Sequence, residues 1–116
     1  ERRPGTNFVP AHMGGDAPAL KIAAVEGMHE RDLTNVWIEL SCTREYWAIR
    51  RLVDRYGAAR LCYGSDWAMH HPLAVMISLV GAELDDSALA AILGGNLAAL
   101  LAGRPAHSSP AGTRLP

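Results

Sequence analysis

Three short apolar runs restrict what this chain can fold into. They are Asn7 to His12, Asn35 to Ser41 and Arg60 to Gly64, and they recur at intervals of roughly 28 residues. Each interval between them switches to a helical period. Strand-helix alternation of this kind argues for parallel strands joined by right-handed crossovers, an α/β architecture. No internal repeat is visible.

The first run is closed by Met13-Gly14-Gly15 and reads as a buried strand ending in a Gly-rich turn. Pro10 counts against a central ladder position, so this strand is expected to be short or irregular. Asp16 is the expected cap of a helix of about 13 residues, with Leu20, Ala24 and Met28 on its contact face. In the second run Val36, Ile38 and Leu40 alternate with Trp37, Glu39 and Ser41, which is a strand period. Residues 44–56 carry a helical stripe of Tyr46, Ile49, Leu52, Val53 and Tyr56, stopped by Gly57. After the third run, Pro72 opens an apolar helix over Leu73 to Val80, and Asp85 or Asp86 caps the next, which runs to Leu93. Asn96 is the expected cap of a last helix through Ala102, and a Pro/Gly/Ser tail follows over 103–116.

Composition excludes several functional classes. A net charge of −1 and a pI near 6.6 do not fit an electrostatic nucleic-acid binder. Ser87 to Gly103 is uncharged over 17 positions, but Gly94-Gly95-Asn96 interrupts it, which reads as two short buried helices rather than a membrane span. Cys42 and Cys62 form no CxxC and read as two small buried hydrophobes of a cytoplasmic protein. The first residue is Glu1 with no signal-like segment after it, and a processed or incomplete chain is expected.

Two residues stand where chemistry is expected. His12 ends the first run and Asp66 follows the third. In parallel α/β folds the carboxyl ends of the strands face the active site. A histidine and an aspartate converging there can bind a divalent metal and manage a proton. The same positions also suit a satisfied core histidine and a helix-capping aspartate, and the pattern alone does not choose.

Four segments occur in order: "FVPAHMGG", "NVWIELS", "YGAARLCYGSDW" and "ILGGNLAALL". In this they resemble the C-terminal part of the amidohydrolase-related (amidohydrolase 2) family, which includes lactone hydrolases and decarboxylases similar to aminocarboxymuconate-semialdehyde decarboxylase. The resemblance covers roughly residues 6–102 and implies a TIM barrel of which this chain holds the last three βα units, strands six to eight. An eight-stranded barrel needs about 250 residues, so the expectation is an incomplete barrel over 1–102 with a disordered tail over 103–116.

By the same resemblance, His12 matches the sixth-strand catalytic histidine and Asp66 the eighth-strand metal-binding aspartate. Asn96, in the closing helix, is expected to be structural. A mononuclear Zn²⁺ or Mn²⁺ site is implied, with Asp66 ligating the metal and taking a proton from water and His12 assisting as acid or base. The implied substrate is a small carboxylated, lactone or amide compound, hydrolysed or decarboxylated. Where the family often has Pro after "SDW", Ala68 stands here.

The sequence also lacks the His-x-His pair and the fifth-strand histidine of that family, so a catalytically inactive remnant is the alternative reading. His29 is expected to face solvent and His107 to lie inert in the tail. His70-His71 either line the site mouth or simply start a helix, and Trp67 either walls the pocket or only packs. Glu39 is expected to be a buried carboxylate of structural use, and Met69 and Met76 gap-fillers. Three strands taken from a closed barrel leave open edges and uncovered apolar faces, so self-association into a homo-oligomer is expected.

Overall fold

The structure, a computed structural model, describes residues 5–103. The tail expected over 103–116, His107 included, lies outside them apart from Gly103.

The three apolar runs lie side by side and parallel. The middle one supplies β1 (Ile38–Glu39) and the third supplies β2 (Leu61–Cys62), with Ile38 opposite Leu61 and Glu39 opposite Cys62. The first run flanks β1 on its other side through a parallel bridge between Phe8 and Val36. There the Phe8 N–H donates to Asn35 O at 2.9 Å, and the Trp37 N–H donates to Phe8 O at 2.8 Å. Regular pairing is shorter than the runs themselves. Pro10 has no N–H to give, so after Phe8 the ladder continues only through its carbonyl, which accepts from Glu39 N–H at 3.3 Å. The alternation expected in the middle run is also too simple. Trp37, Ile38 and Leu40 are all buried, as happens when a parallel strand is covered on both faces.

The crossovers are helices. The first is α1 (Pro18–Glu30) and the second α2 (Tyr46–Tyr56), which ends where Gly57, at φ 75°, donates its N–H to Val53 O. Beyond β2 come α3 (Leu73–Gly81), α4 (Asp86–Ala90), one π-helical turn (Ala91–Gly95) and α5 (Asn96–Leu101). The core lies between sheet and helices. Ile38, Leu40 and Leu61 meet Val25, Ile49, Leu52, Leu79 and Ile92 there. Among the described residues, no helix is long and apolar enough to cross a membrane.

Four local expectations are corrected. Ala17, not Asp16, precedes α1, and the Asp16 side chain is exposed. The buried face of α1 is Lys21, Val25 and Met28, while Leu20 is 58% exposed. Asp85 does cap α4, its carboxylate accepting from Ala88 N–H at 2.8 Å, but Asn96 caps nothing. Its amide is buried and donates to Ala58 O and Leu61 O, both at 2.7 Å, tying α5 to the entry of β2. The stop expected at Gly94-Gly95 is present: Gly94 leaves the helical conformation, with φ 176° and ψ −25°, and the chain kinks there between two short helices. Finally, Met69 and Met76 fill no gap, since both side chains are exposed.

Candidate metal centre

The carboxyl ends of the three parallel segments bring three donors together. His12 follows the first, Cys42 the second and Asp66 the third. A ring nitrogen of His12, the Cys42 sulfur and an Asp66 oxygen all lie within 4.8 Å of one another. Each of the three has a left-handed backbone, with φ of 56°, 55° and 56°. Such a residue turns its side chain off the strand axis, at a cost of about 1–3 kcal/mol that the surroundings must hold in place.

The surroundings do so with specific hydrogen bonds. Glu39 lies half-buried under the first turn. Its carboxylate accepts from His12 N–H at 3.1 Å, from Ser41 N–H at 2.7 Å and from the Ser41 hydroxyl at 2.6 Å. It fits only because residue 64 is glycine: a Cβ there would stand 1.4 Å from Glu39 Oε1. Glu39 is therefore the structural carboxylate expected, and what it braces is the His12 turn. Lys21 does the same for Cys42. Its ammonium, 2% exposed, donates to Cys42 O at 2.7 Å and to Glu45 at 3.1 Å.

Among the donors, Cys42 Sγ donates to Asp66 Oδ2 at 3.3 Å, and His12 Nε2 stands 3.8 Å from the same oxygen. His70 joins from the turn after Asp66, with Nδ1 at 3.2 Å from Asp66 Oδ2 and 3.6 Å from Cys42 Sγ. Asp16 Oδ1 lies 3.6 Å from the other His12 nitrogen. Hydrogen bonds from Cys42 and His70 hold the Asp66 carboxyl below its ordinary range, and the charges of His12 and His70 act the same way. Burial pushes the Cys42 thiol up, as do its hydrogen bond to Asp66 and the charge of that group. In this state a carboxylate accepts from a thiol.

The geometry thus brings His12 and Asp66 to one face. It also brings in Cys42, which the sequence reading passed over, and His70, which that reading left open. Cys42 had been placed with the buried hydrophobes, which is right only for Cys62, whose thiol burial pushes up to about 11. The signal for Cys42 was its position: like the other two donors, it follows directly on a parallel run. The His70-His71 pair divides its labour. His70 faces the donors, whereas His71 Nδ1 accepts from Leu73 N–H at 3.2 Å at the start of α3. Trp67 does not pack in the core, being 72% exposed. His29 does not simply face solvent. It stacks on Tyr56 with ring centres 4.0 Å apart, and burial, with the nearby Arg60 charge, lowers its pKa.

Nitrogen, sulfur and carboxylate oxygen on one small face are a donor set that fits a divalent ion. The comparisons agree with a family of metal-dependent enzymes. Among solved structures the chain is similar to 5-carboxyvanillate decarboxylase from Sphingomonas paucimobilis, with a TM-score of 0.56 and 21% sequence identity. That match covers 79% of this chain and 32% of the other, so the chain spans about a third of that structure's length. At this identity the likeness concerns the fold, part of an amidohydrolase TIM barrel. No curated protein matches the chain. The amidohydrolase family model, however, matches residues 1–102, and the chain belongs to the amidohydrolase family.

Proposed function

We propose that residues 1–102 are strands six to eight, with their helices, of a metal-dependent amidohydrolase barrel. In this reading the chain supplies its acid/base histidine, His12, and a metal-binding aspartate, Asp66. The substrate is a small carboxylated, lactone or amide compound, and the reaction is its hydrolysis or non-oxidative decarboxylation. One observation carries the reading: His12 Nε2 and Asp66 Oδ2 face each other at 3.8 Å, too far for a hydrogen bond to satisfy either and near enough for both to touch a third group.

Asp66 would hold a divalent ion, which supplies Lewis acidity when bound. Because hydrogen bonds from Cys42 and His70 favour its charged form, Asp66 remains an anion at neutral pH and offers an oxygen to the site. His12 Nε2 gives and takes a proton at a substrate oxygen. Its other nitrogen lies towards Asp16, and the Glu39 brace on its backbone limits how far the ring can move.

The protein loaded with Zn²⁺ or Mn²⁺ is assayed for release of CO₂ from 5-carboxyvanillate and for hydrolysis of small lactones and amides. Asp66→Asn is expected to reduce the metal-dependent turnover at least about 100-fold. Undiminished turnover in that variant overturns the assignment.

A further inference from the structure

We propose that Cys42 is itself a metal ligand, so that Cys42, Asp66 and His70 form a sulfur-oxygen-nitrogen site that selects Zn²⁺ over Mn²⁺ and Mg²⁺ and leaves His12 Nε2 free for its proton. The inference rests on the reading of Asp66 as a ligand and adds a thiolate to it.

Spacing is the first support. Tetrahedral zinc with bonds of about 2.0 Å to nitrogen or oxygen and about 2.3 Å to sulfur places its donors about 3.3–3.5 Å apart. Cys42 Sγ to Asp66 Oδ2 is 3.3 Å. His70 Nδ1 supplies the nitrogen donor, 3.2 Å from Asp66 and 3.6 Å from Cys42. The side chains therefore already stand near coordination distances and need only small rotations.

The second support is what holds Cys42 there. Cysteine in a left-handed turn gains nothing for packing, and Cys62 shows that a purely structural cysteine of this chain sits in a strand. Cys42 instead occupies φ 55°, with its carbonyl bound by a buried lysine at 2.7 Å. The brace fixes the backbone and leaves the sulfur directed at Asp66.

Binding is balanced by one proton. The Cys42 S–H bond breaks, the proton leaves to solvent, and the sulfur lone pair forms the bond to the metal while the hydrogen bond to Asp66 is given up. A thiolate ligand discriminates against hard ions, which favour all-oxygen shells.

Co²⁺ titration of the protein tests this. Expected is stoichiometric binding with an intense near-ultraviolet thiolate-to-cobalt absorption, retained in Cys62→Ala and abolished in Cys42→Ser. Zn²⁺ affinity in Cys42→Ser is expected to fall by at least about tenfold, with Mn²⁺ affinity little changed. X-ray absorption of the Zn²⁺-loaded wild type, which needs no variant to fold, should show one sulfur in the metal's shell. Cobalt bound without the thiolate band, or zinc without sulfur, overturns the role of Cys42 while leaving the proposed function to its own Asp66→Asn assay. Failure to bind cobalt or zinc at all also overturns it.

Discussion

Gly64 and Glu39 show how a single missing methyl group can hold a functional turn. The Glu39 carboxylate is pinned by three hydrogen bonds and cannot swing away cheaply from a Cβ added at residue 64. Gly64→Ala is expected to cost about 1–3 kcal/mol in denaturant unfolding, by leaving buried polar groups unsatisfied, and to weaken metal binding by freeing the His12 turn. The Lys21–Glu45 pair gives a second expectation. Burial acts to raise the Glu45 pKa, but hydrogen bonds from Lys21 and the backbone outweigh it and the net shift is downward from 4.5. The folded-state value is therefore the lower one. The stabilisation is complete above the unfolded value and drains away as the pH falls through the folded value. Unfolding midpoints at about pH 6 and about pH 3 should differ by more in the wild type than in Glu45→Gln. Glu45→Ala, which strips the buried ammonium of its carboxylate, is expected to cost about 3 kcal/mol. At this scale the convergence of His12 and Asp66 was legible because strand ends in parallel α/β folds gather on one face. Cys42 obeyed the same rule and was missed, because a lone cysteine without a CxxC partner looks like core. Glu39's part was half legible: its alternation placed it on a covered face, but what it braces depends on Gly64, 25 residues further along.

The elements themselves were read well where periodicity is strong. α2 stands at Tyr46–Tyr56 as its stripe implies, and α1 has the expected 13 residues. The contact face of α1 differs from the apolar stripe because it includes a lysine. With Glu45 and the Cys42 carbonyl available, its ammonium is paired inside, and the buried face shifts by one residue. Asn96 misled for a related reason. Asparagine after glycines reads as a local cap, yet its amide serves carbonyls 35 and 38 positions away. Sequence windows do not see such partners. Asn96→Ala removes both bonds, leaving Ala58 O with only the Leu61 N–H and depriving Leu61 O of its amide donor, so a loss of about 1–3 kcal/mol is expected in thermal or denaturant melts.

At the scale of the molecule, three parallel segments carry helices without closing on themselves. α3 presents Leu73, Ile77 and Val80 to solvent, and Leu93, Leu97 and Leu101 are exposed beyond it. An apolar surface of this kind seeks cover. Sedimentation velocity of the purified chain is expected to show concentration-dependent self-association, which Ile77→Glu with Val80→Glu should reduce. A monomer at all concentrations would contradict this. The parallel order was legible at this scale because the period switches cleanly between two and 3.6. The extent of regular pairing was not, because it depends on which N–H groups find a carbonyl opposite.

The burial of Lys21 has a consequence for chemistry in the test tube. It is the only lysine in the sequence, so the protein owns one ε-amine, and the native fold shuts it away beneath the Cys42 turn. An amine-acylating reagent can reach it only when that turn lifts. The mass increment at Lys21 is thus a clock for the opening of the donor cluster, and an ion held by Cys42 would slow it.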